Sequence, residues 1–193
     1  LSNPLYRDPY NCSESQVNCL NVIDGNSIEH DNLEASNQQI ELITFYSQQL
    51  GVPARRNIDD DDVIAGKKVF FELSCNSCHK EKFKTGNDSD HKNLNKQEIY
   101  PYSDFLLHDM GEGLGDNIPE YFANGNEWRT TPLWGLGLTE TVSGRKTYLH
   151  DGRARKLIEA ILWHEGEANS ARTKFLKLDN IQINQLLSFL DSL

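Results

Sequence analysis

The 193 residues suffice for one domain with an appended segment, but only 37 % of them are hydrophobic, a thin supply for a core of that size. The formal net charge of −10 argues against nucleic acid or an anionic membrane as a partner. No apolar run approaches the length of a membrane span. The first residue is Leu1, with no signal-like stretch, which reads as a chain processed or cut from something longer.

Residues 1–35 are rich in Asn, Asp and Ser and read as an irregular arm. Ser36 with Gln39 makes a capping box, and Ile40, Ile43, Tyr46 and Leu50 recur at helical spacing, so a helix is predicted over 37–50. Gly51 and Pro53 end it. A second helix is predicted over 60–74, with Val63, Gly66, Phe70 and Leu73 on one stripe. The acidic run Asp59–Asp62 suits its N-terminus and needs no metal to explain it.

Residues 80–147 are full of Gly, Pro, Asn and Thr and read as loops, with no strand expected. Their apolar side chains (Tyr100, Tyr102, Phe105, Leu106, Trp128, Leu133, Trp134) imply that these loops wrap something. A cluster at Asn87, Asp88 and Asp90 reads as a polar loop in preference to a calcium site. Helical signals return over 153–165 and 168–177. The last helix, 180–192, has Asp179 and Gln182 as its capping pair and Ile183, Leu186, Leu187 and Leu190 as its apolar face.

Two close cysteine pairs have different spacings: Cys12 with Cys19, and Cys75 with Cys78. Cys75-x-x-Cys78-His79 is the attachment signature of haem c. Two thiols three residues apart reach the two vinyl groups of one porphyrin, and the next residue offers its imidazole to the iron. Two other readings stay open at this stage. A thioredoxin-like redox pair wants a strand before it and a helix after it, the reverse of the order here. A zinc site wants a second close pair of Cys or His ligands, and none follows at finger-like spacing.

Gly66, one turn before Phe70, is a poor helix residue unless it lets another helix cross closely. The terminal helix, with Phe189 and Leu190, is the expected partner. This arrangement resembles the cytochrome c fold. The fold class expected is therefore all-α: a cytochrome c-like domain over 59–193 with long haem-wrapping loops, preceded by an irregular arm and one helix over 1–58.

Met110 is the only methionine, set between His108-Asp109 and Gly111 in a loop after the cysteines. It reads as the second axial ligand, with core filler or ligation by His108 as the alternatives. Gly111 supplies the backbone freedom of a tight loop. Arg129, Arg153 and Arg155 are candidate partners of haem propionates, against the plainer reading of solvated side chains. Trp128, Pro132 and Trp134 are candidate pocket walls or ordinary core residues. His150 lies in the segment after Tyr148, and His164 reads as a packed, hydrogen-bonded histidine on an apolar helix face. His30 and His91 attract no role.

From Gly66 to Leu193 the chain resembles the C-terminal cytochrome domain of the di-haem oxidoreductases, often labelled thiol oxidoreductases and related to bacterial di-haem cytochrome c peroxidases. The segments that carry the likeness are GKKVFFELSCNSCH (66–79), PYSDFLLHDMGEGLGD (101–116), EWRTTPLWGLG (127–137), LHDGRARKLIEAILWHEGEA (149–168) and LLSFLDSL (186–193). The resemblance implies export to the periplasm, one covalent c-type haem with His79 and Met110 as iron ligands, and a link to electron transfer or peroxide chemistry. Members carry a second CxxCH upstream, which this chain lacks. By that analogy the piece is an electron carrier whose partner is a redox protein, basic in character, or the missing N-terminal haem domain. Peroxidase chemistry at this haem, with Glu112 offered as the acid–base group, and a non-catalytic haem sensor are the alternatives. In an exported protein Cys12 and Cys19 are expected to form a disulfide, with two free thiols as the alternative.

Overall fold

The computed structural model describes residues 33–193, together with Val17 and residues 28–30. The Cys12–Cys19 pair lies outside the described residues. The chain divides into two units, 1–51 and 52–193. In the first, helix α1 (Asn37–Gln49) starts at the Ser36–Gln39 capping box expected from the sequence. Helix α1 buries none of its residues.

The second unit opens with an extended segment hydrogen-bonded to the chain terminus: the Arg56 amide donates to Ser192 O at 2.9 Å, and Arg55 Nη2 to Ser192 Oγ at 3.1 Å. Helix α2 (Asp61–Glu72) follows. Its acidic start acts as the sequence suggested. The Asp60 carboxylate accepts from the amides of Asp62 at 2.9 Å and Val63 at 3.3 Å, satisfying donors that the first turn leaves over.

Helices dominate the described residues, but segment 80–147 is not all loop. It holds two antiparallel ribbons, which corrects the expectation of no strand. β1 (Phe83–Lys84) pairs with β2 (Glu98–Ile99), and β3 (Leu107–Asp109) with β4 (Glu127–Arg129). In the second ribbon His108 stands opposite Trp128. Strands of two or three residues are too short to show a period of two, which is why the pattern missed them. Helix α3 (Thr139–Ser143) closes this region. The helix expected over 153–165 is confined to α4 (Leu157–Leu162), and the next to α5 (Asn169–Phe175) after a 3₁₀ turn at Gly166–Ala168. The Trp163 amide already bonds Glu159 O and Ile161 O at the end of α4. The glycine at 166, with φ +51°, turns the chain before α5 can start. Helix α6 (Asn180–Ser192) has the Asp179–Gln182 capping box. No helix among the described residues is long and apolar enough to cross a membrane.

The core lies where α6 crosses α2. A Cβ added at Gly66 would sit 1.8 Å from Gln185 O and 2.8 Å from Phe189 Cβ, so the two backbones meet at a distance only glycine permits. Around the crossing pack Val63, Val69, Phe70, Leu73, Tyr102, Phe175, Leu186, Phe189, Leu190 and Leu193. The Phe70 and Phe189 rings are 5.2 Å apart, and Tyr102 stands edge-on to both, at 6.1 and 5.7 Å.

Gly66→Ala is therefore expected to lose about 3 kcal/mol of stability, because the obstacle is main chain and cannot rotate away. At an exposed helix position the same change gains up to about 1 kcal/mol. The shift in the urea midpoint gives the sign, and an unchanged or raised midpoint would refute the close crossing.

Candidate functional site

Helix α2 ends into the cysteine pair. Leu73 is buried, and Ser74 takes a left-handed backbone (φ 67°) that turns the chain into a 3₁₀ turn, Cys75–Ser77. The His79 amide bonds back to Cys75 O at 2.9 Å, so the two thiols and the imidazole belong to one tight turn. Neither cysteine is in a disulfide. Burial pushes the Cys75 thiol up to about 12. The Cys78 thiol is also raised, by burial first and then by the charges of Asp104 and Glu167. Both are thiols rather than thiolates at neutral pH. A redox dithiol works through a thiolate of lowered pKa, so the thioredoxin-like reading loses its chemical basis.

The His79 ring is held from one side. Its Nδ1 lies 2.9 Å from Tyr102 O, and a carbonyl can only accept, so Nδ1 carries the proton and Nε2 keeps its lone pair. This is the arrangement expected of a histidine that binds a metal through Nε2. Burial lowers the His79 pKa to about 4, against the raising effect of that hydrogen bond, so the ring is neutral. Tyr102 is fully buried with a left-handed φ of 50°, an unusual state for a bulky residue. Sequence reasoning gave Tyr102 no task beyond an apolar lining, because its contribution is a main-chain carbonyl.

Ring neighbours of His79 are Phe70 at 6.4 Å and His164 at 6.5 Å. His164 follows the end of α4, its Nδ1 2.7 Å from Ala160 O. It is packed and hydrogen-bonded, as the sequence reading had it, and its pKa is lowered by burial. Its place beside His79 was not anticipated. No spacing in the sequence signals it, since 84 intervening residues separate the two.

Met110 follows β3 and is half-buried, its amide bonded to Asn126 O at 2.9 Å. Gly111 has φ +81°, the freedom expected of it, and a Cβ there would meet Glu165 Cβ at 3.1 Å. The 109–113 turn thus packs against the residues just after His164. His108 is occupied on both ring nitrogens: Nε2 by Asp104 at 2.9 Å and Nδ1 by Glu167 at 2.8 Å. Burial pushes its pKa down, but the bonds to Glu167 and Asp104 outweigh it and leave the pKa raised. Cys78, Asp104 and His108 bring ligand-type atoms within 4.8 Å of one another, the only such group among the described residues. An imidazolium donating both protons to carboxylates has no lone pair for zinc, which weakens that reading too.

The remaining candidates divide. Trp128 stacks on His150, ring centres 3.5 Å apart and 8° from parallel, and its indole Nε1 is buried without a hydrogen-bond partner. Arg153 is bonded to Asp151 at 2.5 Å and lies over the Trp163 ring at 4.8 Å. Its guanidinium is thus committed within the protein. Arg129 and Arg155 are exposed, and Pro132 and Trp134 are half-buried, with Trp134 6.5 Å from Phe105. Phe105, Leu106 and Leu107, beside the Tyr102 turn, leave 40, 60 and 51 % of their surface exposed.

A c-type haem fits this donor set. Two neutral thiols precede an imidazole with a free Nε2, an unpartnered buried indole N–H suits a propionate, and uncovered apolar side chains suit a porphyrin edge.

The His108 pair of carboxylate contacts has a pH signature. Its raised pKa means the stabilisation is full below about 6.5, the unfolded value, and fades as pH rises through the folded value. The gap in denaturation midpoint between the protein and His108→Gln should therefore narrow from pH 5.5 to pH 9. A gap that widens with pH contradicts the assignment.

Comparison with curated proteins and with solved structures returned no match. The family described as "Di-haem oxidoreductase, putative peroxidase" matches residues 10–193. That range takes in the single CxxCH, the ribbon carrying His108 and Trp128, and the crossing helices alike. By that match, and with a site whose residues suit a haem, the chain belongs to the di-haem oxidoreductase family.

Proposed function

We propose that this chain is an electron-transfer domain holding one haem c, covalently attached through Cys75 and Cys78 and ligated by His79, within a peroxidase-like oxidoreductase. The observation that carries the reading is the His79 imidazole, placed one residue after the paired thiols and fixed through Nδ1 on Tyr102 O. When bound, the haem supplies reversible one-electron chemistry at iron. The chain's own residues do the rest. Tyr102 O keeps His79 in the tautomer that presents Nε2. The α2–α6 core fixes the turn that presents Cys75 and Cys78. Trp128 Nε1 offers a hydrogen bond to a propionate, and Phe105, Leu106 and Leu107 exclude water from the porphyrin edge. The sequence reading gives the sixth position to Met110.

Peroxide turnover at this site would need an acid–base group aimed at the iron. Glu112, the sequence candidate, is exposed, and among the described residues its side chain has no partner, so nothing supports that role. Attachment of haem c belongs to an oxidising compartment, which supports an exported location.

Two tests follow from the reading. Protein from a host that matures c-type cytochromes should keep haem colour on the polypeptide in a denaturing gel, and the Cys75→Ser, Cys78→Ser double variant should lose it. A colourless wild-type band from such a host refutes covalent attachment. The net charge of −10 also fits a basic redox partner. Electron exchange with a small basic cytochrome should slow at least several-fold as ionic strength rises from about 0.01 to 0.15 M. A rate indifferent to salt removes electrostatic steering.

A further inference from the structure

The geometry points to His164, not Met110, as the second axial ligand, opposed to His79 across the haem iron. This inference rests on the haem c reading above and concerns the sixth coordination position alone.

Two imidazoles on opposite sides of one iron, each about 2.0 Å from it through one nitrogen, put their ring centres roughly 6 Å apart. The His79 and His164 ring centres are 6.5 Å apart. Ring separation alone would also describe ordinary aromatic neighbours. The hydrogen bonding distinguishes the two cases. Each ring gives its Nδ1 to a main-chain carbonyl, Tyr102 O at 2.9 Å for His79 and Ala160 O at 2.7 Å for His164. Each carbonyl accepts, so both rings are the same tautomer and both keep the Nε2 lone pair. Among the described residues neither Nε2 has a hydrogen-bond partner. Each Nε2 therefore keeps a lone pair that no protein donor occupies and that a metal can take. A thioether is only a weak acceptor, so Met110 can stay half-buried without a metal.

His108 and His150 are held by other partners. Both nitrogens of His108 are taken by carboxylates, and His150 is stacked on Trp128. The segment bearing His164 is also well held. Its amide bonds Ile161 O at 3.1 Å, and a Cβ at Gly166 would fall 2.2 Å from Asp109 O. Glycine at 166 therefore lets the residues after His164 lie against the Met110 turn. In this arrangement Met110 is a packing neighbour of the ligand's segment.

Bis-imidazole ligation leaves no open position for peroxide or carbon monoxide, and it sets a lower potential than His/Met ligation, since a thioether favours ferrous iron. The test uses the mature protein. The ferric form should show the electron-paramagnetic and near-infrared signatures of a bis-histidine haem, with no sulfur-to-iron charge-transfer band. Met110→Leu should leave these spectra unchanged. His164→Ala should turn the haem high-spin and let carbon monoxide bind stoichiometrically, and added imidazole should restore the low-spin spectrum. A sulfur-to-iron band in the unaltered protein, lost in Met110→Leu, overturns the assignment. So does a His164→Ala protein that stays low-spin. Should His164→Ala fail to fold, the spectra of the unaltered protein still decide. Absence of covalent haem would instead bring down the site reading itself, a failure told apart by the gel.

Discussion

Gly66 has no Cβ, and helix α6 passes where one would be; the site depends on that close approach. The crossing brings Phe189 against Phe70, and the two rings hold Tyr102 between them. Tyr102, fully buried in a left-handed conformation, accepts the hydrogen bond from His79. A chain of contacts thus runs from one missing methyl group to the tautomer of one imidazole. Each link is a packed or hydrogen-bonded pair without rotational slack, so the position of His79 Nε2 is set by the core and not by the turn alone.

The interior of the site is neutral although the protein is strongly acidic. Cys75, His79 and His164 are half-buried, and the loss of water around them opposes their charged forms. Asp104 and Glu167, the charges that add to burial in raising the Cys78 thiol, are matched by His108 between them, and Lys174 reaches Ser74 beside Cys75. That triad also spans three parts of the chain: the Tyr102 loop, strand β3 and the turn before α5. On the proposed electron-transfer reading, an acid-rich exterior around a neutral site would attract a basic partner without raising the electrostatic cost of holding an uncharged donor set.

What could be read from the sequence was local or periodic. The capping boxes at Ser36 and Asp179 each lie within four residues and were legible, and the acidic run Asp59–Asp62 marked the start of the next helix without naming Asp60 as its cap. The Gly66 crossing was legible because a glycine inside an apolar helix stripe needs a reason. Cys75, Cys78 and His79 carry their chemistry in their spacing. The short ribbons were not legible, because two or three residues show no period. Tyr102 was missed because its carbonyl acts, and any residue has one. His164 was missed because its lone pair gains meaning only beside a second ring, 85 positions earlier in the chain.

Four of the eight described non-glycine residues in left-handed conformations lie next to the candidate residues: Ser74 precedes the cysteines, Tyr102 and Phe105 bracket the loop under His79, and Leu149 precedes His150. Such a state costs about 1–3 kcal/mol each and persists only where surrounding contacts over-determine it. For Tyr102 those contacts are visible in the α2–α6 core. Phe105 is different: 40 % of its surface is exposed, and Leu106 and Leu107 beside it are more exposed still. The protein contacts of Phe105 are fewer: its amide bonds Ser103 Oγ at 2.9 Å and its ring lies near Phe83 and Trp134. On the haem c reading the porphyrin offsets the strain there by covering these side chains, so ligand and loop stabilise each other by mass action even before the thioether bonds are counted. The low hydrophobic share of the sequence then has a physical meaning. On that reading part of the apolar core would be supplied by the haem, and segment 80–147 would enclose it rather than pack only on itself.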